Sequence, residues 1–250
     1  NGVYMGSNKG LGLVSALVAV VSSGREEARE KALGTLFNLS IADENKVYMI
    51  SKDLGLVSAL VAVVLSDSGE AREYGLGTLW NLSVADENRV YMGSKDVGLV
   101  PALVAVVSSD SKEARVKALA TLWNLSFANE NKVYMGSQDL GLVQALVAVV
   151  SSGREEAREK ALGTLFNLSI ADENKVYMIS KDLGLVSALI AVVSSDSSGE
   201  AGMKALETLW NLSFEERLES MVWERYGLYL LPLMRIEFTW DPRMSVFFLL

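Results

Sequence analysis

The tripeptide Asn-Leu-Ser occurs five times, each time behind Phe or Trp, with its asparagine at Asn38, Asn81, Asn124, Asn167 and Asn211. Successive asparagines stand 43, 43, 43 and 44 residues apart. A glycine keeps the same beat ahead of an apolar run, at Gly12, Gly55, Gly98, Gly141, Gly184 and Gly227. A fixed period of this length specifies a solenoid, in which one supersecondary unit is stacked on copies of itself. A single unit cannot bury its apolar face alone, so most recurring residues exist to bury each other. Candidates for function are those that recur on a face the stack leaves open.

The repeat turns 250 residues into one elongated domain rather than two compact ones. Half the residues are hydrophobic and only three are proline, a composition that folds rather than stays disordered. The net charge of −8 argues against nucleic acid and anionic membranes as partners, since both call for a basic surface. Cysteine and histidine are both absent, which removes disulfides, thiolate nucleophiles, imidazole acid-base catalysis and every zinc site built on those ligands. No cofactor and no metal are expected. The longest smooth apolar runs, such as Gly55 to Leu65, fall well short of the roughly 20 residues that span a bilayer. The chain opens at Asn1, part-way through a repeat, and reads as a fragment or a processed product. With no charged-then-apolar leader in it, the expected location is cytoplasmic, with the nucleus second.

Residues 42–84 show the unit. Asp43 is placed to cap a short helix over 44–51, with Val47 and Met49 as its apolar contacts. Gly55 follows, suited to the positive φ that turns the chain cheaply. Leu56, Val57, Leu60, Val61 and Val64 then recur with the period of one helical face. The third repeat carries Pro101 near the start of this helix, where the missing N–H is harmless. Ser66 to Gly69 make a polar turn. A third helix spans 70–83, its Leu76, Leu79 and Leu82 alternating with small residues. Each period therefore contains three helices.

This order of motifs resembles the armadillo repeat, over nearly the whole chain. The family's polar-Asn-Arg/Lys opening is matched by Glu44-Asn45-Lys46 and Glu87-Asn88-Arg89. Its glycine and Val-x-x-Leu-Val run is matched by Gly98 to Val104, and its Ala-x-x-x-Leu-x-Asn-Leu ending by Ala118 to Leu125. The resemblance implies an all-α, right-handed α-solenoid. Five repeats are expected, at about 1–41 (truncated), 42–84, 85–127, 128–170 and 171–213. A worn sixth repeat at 214–237 and an apolar tail at 238–250 follow; that tail is an end cap, an exposed sticky patch or sequence past the true end. Residues 12–64 recur at 141–193 with only Ser15/Gln144 and Val61/Ile190 changed, as after duplication of a three-repeat block.

With each ladder asparagine set at zero and about 100° per residue, Leu36 and Leu33 fall on the far side of the third helix, so the core lies opposite Asn38. Thr35, Lys31 and Glu27 fall on the asparagine side. In the armadillo family that face lines a concave groove. The resemblance thus implies a peptide-binding groove carrying Asn38, Asn81, Asn124, Asn167 and Asn211, with Thr35, Thr78, Thr121, Thr164 and Thr208 three residues earlier. A row of amides, each offering two donors and an acceptor, suits the main chain of an extended peptide. The alternative is that the asparagines only tie neighbouring helices together.

The other recurring residues carry plainer expectations. Lys31, Lys117, Lys160 and Lys204 follow glutamates by four residues, at Glu27, Glu113, Glu156 and Glu200, the order that makes favourable helix pairs. Phe37, Trp80, Trp123, Phe166 and Trp210 sit at the seam between core and groove, as packing residues between repeats. The Asn-Leu-Ser sequons lie within helices and are not expected to be glycosylated. The tryptophan that import-adaptor armadillo proteins carry four residues before the ladder asparagine is replaced by Gly34, Gly77, Ala120, Gly163 and Glu207, against nuclear-import cargo. The function expected is a non-catalytic module binding an extended segment of another protein. A spacer or scaffold that self-associates through its ends is the alternative, and an enzyme a remote one.

Overall fold

The computed structural model describes residues 8–50, 54–66, 69–108, 112–152, 155–195 and 199–213. The proposed sixth repeat, the apolar tail and Gly227 lie outside the described residues. Among those described there are α-helices and short 3-10 turns and no strand. The helices α1 (Asn8–Ser23) and α2 (Glu26–Ser40) come first. Four triplets follow: α3 (Asp43–Met49), α4 (Leu56–Ser66) and α5 (Gly69–Ser83); α6 (Asp86–Gly93), α7 (Leu99–Val107) and α8 (Lys112–Leu125); α9 (Asn129–Met135), α10 (Leu142–Ser152) and α11 (Glu155–Ser169); α12 (Asp172–Met178), α13 (Leu185–Ser195) and α14 (Glu200–Ser213).

Third helices pack on their counterparts one repeat away, α2 on α5, α5 on α8 and α8 on α11, and among the second helices α4 meets α7 and α10 meets α13. The shared core follows from the leucine spacing. Leu33 and Leu36, Leu76 and Leu79, Leu119 and Leu122, and Leu162 and Leu165 are all fully buried in the third helices. In α4 the buried stripe is Leu56, Val57, Leu60, Val63 and Val64. Val61, expected in that stripe, is only half-buried, and Val63 takes its place.

Gly55, Gly98, Gly141 and Gly184 hold φ between 64° and 71°, in the left-handed region that admits a side chain only with strain. Three of them end a single 3-10 turn and release the chain directly into the second helix. Gly12, the counterpart of Gly141 in nearly identical sequence, instead lies inside α1.

The short first helices begin one residue earlier than the capping pattern suggests. Ala42, extended, is the residue before α3, and no side chain caps it. Asp43 is the first helical residue, and its carboxylate accepts a bond from Lys46 Nζ at 2.5 Å. That bond, and then the ammonium's charge, hold the Asp43 carboxyl below its ordinary range. Acid in the first turn still suits the helix dipole. Met49 is buried as expected, but Val47 is exposed.

Candidate functional site

The recurring tripeptide is a joint between repeats. Asn81 Nδ2 donates to Ser40 Oγ at 3.0 Å, Asn124 to Ser83 at 3.0 Å, Asn167 to Ser126 at 2.8 Å and Asn211 to Ser169 at 3.0 Å. Each serine hydroxyl donates in turn to the carbonyl of the aromatic residue three positions earlier: Phe37, Trp80, Trp123 and Phe166. In the three middle Asn-Leu-Ser copies the asparagine thus reaches back one repeat, the leucine enters the core and the serine receives the next asparagine. This bond uses one of the two N–H groups of each amide. The other N–H and the Oδ1 make no hydrogen bond among the described residues. Asn38 is exposed, Asn81, Asn124 and Asn211 are half-buried and Asn167 is buried.

The threonines do not join them. Thr78, Thr121, Thr164 and Thr208 have no exposed surface. Their hydroxyls donate within their own helices, to the carbonyls of Tyr74, Lys117, Lys160 and Lys204 at 2.7–2.9 Å. Thr35 makes the same bond to Lys31 but is exposed. Thr35 lies on α2, which has no described third helix before it, whereas α5, α8 and α11 each pack on the third helix before them. Four of the five threonines are therefore removed from the candidate site as ligand-contacting groups.

The lysines also choose other partners than the glutamates four residues before them. Lys117 pairs with Glu73 of the preceding repeat. Lys160 pairs with Glu159 at 2.9 Å and lies over the Trp123 ring, 4.4 Å from its centroid. Lys204 pairs with Glu207 at 2.9 Å and lies 4.7 Å over the Phe166 ring. Between the first repeats the same place is held by Tyr74, tilted against Phe37 at 5.9 Å. The ladder aromatics thus pack forward onto the following repeat. Glycine four residues before the asparagine makes room for this: a Cβ on Gly77 would fall 2.7 Å from the Phe37 ring, and one on Gly163 would fall 2.6 Å from Trp123.

A second asparagine ladder, noted in the sequence only as a motif match, holds the repeats together from inside. Asn45, Asn88, Asn131 and Asn174 in the first helices are 1–2% exposed. Asn88, Asn131 and Asn174 each donate both N–H groups. One goes to the end of the preceding third helix, at the carbonyls of Leu82, Leu125 and Leu168. The other crosses to the first helix one repeat back, at Lys46, Arg89 and Lys132. Orphan carbonyls at a buried helix end need such donors. The recurring Glu-Asn-Lys/Arg was the available signal, but nothing in a single strand of sequence says that this asparagine points inward.

An apolar edge also recurs at the repeat period. Ile41, Val84, Phe127 and Ile170 follow the tripeptides, and Val47, Val90, Val133 and Val176 lie on the first helices, all 43–57% exposed. The Arg89 guanidinium stands 5.2 Å over Phe127, which links the two rows. Among the described residues no cluster of three or more Asp, Glu, His or Cys could hold a metal ion, and no helix is long and apolar enough to cross a membrane.

No family model matches the chain, and no curated protein matches it. Solved structures do. A designed armadillo repeat protein in complex with the peptide (KR)4 is similar at a TM-score of 0.69 and 20% identity, over 84% of this chain and 88% of that one. Computationally designed armadillo repeat proteins for modular peptide recognition give 0.69 and 20%, over 84% and 88%. A chain from work on the interaction between cadherin and β-catenin gives 0.67 and 20%, over 84% of this chain and 39% of its own length. At such identities the likeness shows the fold. The chain is an all-α solenoid of armadillo-like repeats.

Proposed function

We propose that the third-helix face is a concave groove that binds an extended segment of a protein partner, without catalysis. One observation carries this reading. Asn81, Asn124 and Asn211 stand half-buried on one ladder, each with an Oδ1 and one N–H not spent on the joint to its neighbour, while Asn167 keeps the register but is buried. An extended chain presents its own N–H and C=O at regular intervals and can use both. Solved neighbours of the same fold include one in complex with a peptide. Nucleic acid and membrane are not proposed as partners, given the charge of −8. The proposed location is the cytoplasm, or secondly the nucleus.

A second reading has its own support. The exposed edge from Ile41 to Val176 could join two copies side by side, making the chain a self-associating scaffold. Photo-crosslinking separates the two. Benzoylphenylalanine is placed at Phe37 or at Val90, and peptides selected from a random display library are added. Crosslinking of peptide from position 37 alone supports the groove. Crosslinking of a second copy of this chain from position 90, with none of peptide from 37, supports the scaffold and removes the groove reading.

A further inference from the structure

We propose that Trp80 is the docking point for a cationic side chain, lysine or arginine, of the bound segment; this rests on the third-helix face being the binding face. The chain itself shows what fits beside a ladder aromatic. Trp123 is covered by Lys160 and Phe166 by Lys204, with the ammonium 4.4 and 4.7 Å from the ring centroid. Phe37 is covered by Tyr74. Trp80 makes no ring or cation contact among the described residues and is 43% exposed.

Two neighbouring residues account for the difference. Ala120 stands where Gly77 and Gly163 make room for the rings of Phe37 and Trp123. A Cβ at those glycines would fall within 2.7 Å of the aromatic, so the indole at 80 cannot settle as deeply. The second residue is Glu73. Lys117 occupies the position of Lys160 but is held by the Glu73 carboxylate across the joint. One repeat later the place of Glu73 is taken by Val116, which offers no charge, and Lys160 lies over the tryptophan instead. Two repeats later Glu159 stands in the place of Glu73, but it pairs with its neighbour Lys160, and Lys204 lies over Phe166. It is the cross-joint pair of Lys117 with Glu73, and not a glutamate at that position alone, that leaves Trp80 uncovered.

Trp80 is equivalent in the repeat to Trp123 and Phe166, which each carry an ammonium, and has none of its own among the described residues. A cation over an indole face is attracted by the ring's quadrupole, most strongly for tryptophan. Lys117 is neutralised by Glu73, and the chain carries −8 overall, so an incoming positive side chain meets no uncompensated cation at the ring. Asn81 lies next to Trp80 in sequence and Asn124 one repeat on, so a main chain held by these amides would pass the indole. This position differs from the family's tryptophan site four residues before the asparagine, which is Gly77 here.

Calorimetric titration of the full chain tests this with three decapeptides, serine alternating with lysine, norleucine or glutamate. The lysine peptide is expected to bind at least about fivefold more tightly than the other two. Trp80→Ala should weaken it about fivefold, equivalent to ~1 kcal/mol, and Trp80→Phe should retain most of the affinity. Glu73→Val should release Lys117 onto Trp80 and weaken binding as Trp80→Ala does. Glu73→Val with Lys117→Met should restore it, a recovery that loss of the Glu73 charge alone cannot produce. Circular dichroism confirms that each variant is folded. Equal binding of the norleucine peptide, or no effect of Trp80→Ala, overturns the proposal. If Asn81→Ala with Asn124→Ala weakens the lysine peptide while Trp80→Ala does not, the binding face stands and the Trp80 subsite falls. If none of the three peptides binds, the Trp80 subsite falls, and the binding face is decided by the library-selected peptides.

Discussion

Asn124 and Ser83 are 41 residues apart in the chain, and their amide and hydroxyl meet at 3.0 Å across the joint between two repeats. The same bond recurs at every described joint of the ladder. A residue placed by family resemblance in a binding groove therefore also holds the solenoid together, and the two roles must be separated by experiment.

Ser83→Ala removes the acceptor and leaves the asparagine. The hydroxyl also donates to the Trp80 carbonyl, so two bonds at about 0.5–1.5 kcal/mol each should cost about 1–3 kcal/mol, read as a lower urea midpoint with unchanged slope. A double-mutant cycle of Ser83→Ala with Asn124→Ala should return a coupling of about 0.5–1.5 kcal/mol, the shared bond alone. A coupling near zero would mean that the joint is held by packing alone.

The buried ladder should matter more. Asn131 donates to Leu125 and Arg89 at 2.9 and 2.8 Å. Asn131→Ala leaves two carbonyls without these donors, at roughly 1–3 kcal/mol each, so about 2–6 kcal/mol in all. Urea titration should therefore rank Asn131→Ala well above Asn124→Ala. The reverse order would show that water replaces the amide inside the joint.

Burial at helical spacing is a local property, so the period, the three helices and the leucine core were legible in the residues alone. Gly55 and its counterparts were legible for the same reason, because positive φ restricts the residue type. The threonines were not. A helical wheel locates Thr78 relative to Asn81 on an isolated helix but cannot show the width of α2 packed against that flank. The partners of Lys117 and Lys160 were hidden likewise, since they depend on whether the residue across the joint is Glu73 or Val116. Asn131 was visible only as a motif letter, because its acceptors are main-chain atoms in two other helices.

Tyr177 carries a buried hydroxyl with no hydrogen-bond partner. Burial pushes its phenol above the ordinary value of 10.0, and pushes Tyr134 up as well. Above pH ~10 the unfolded chain loses these protons before the folded chain does, so the unfolded state binds fewer protons and stability falls as pH rises through the folded value. Tyr177→Phe removes the unsatisfied group. It should be neutral or stabilising by up to about 1 kcal/mol at pH 7, and its stability should fall less between pH 10 and 12. A loss above that size at neutral pH would show that the hydroxyl has a partner in solution.

The groove and the joint are separated by three paired variants measured for both stability and affinity, with any peptide selected on the wild-type chain. Asn81→Ala with Asn124→Ala deletes two joint bonds and also the Oδ1 and second N–H of each amide. If those four groups hold a partner's main chain, affinity should fall by about 2–6 kcal/mol at 0.5–1.5 per bond, roughly thirtyfold to ten-thousandfold. Ser40→Ala with Ser83→Ala breaks the same two joint bonds, and the two serine bonds to the Phe37 and Trp80 carbonyls, but keeps both amides, so stability should fall by at least as much while affinity stays near that of the wild type. Thr78→Val with Thr121→Val removes hydroxyls that are fully buried and bonded within their own helices. It should leave affinity unchanged. Binding lost equally in the serine and asparagine pairs would mean that the amides act only through the fold, and the groove reading would then have no carrier.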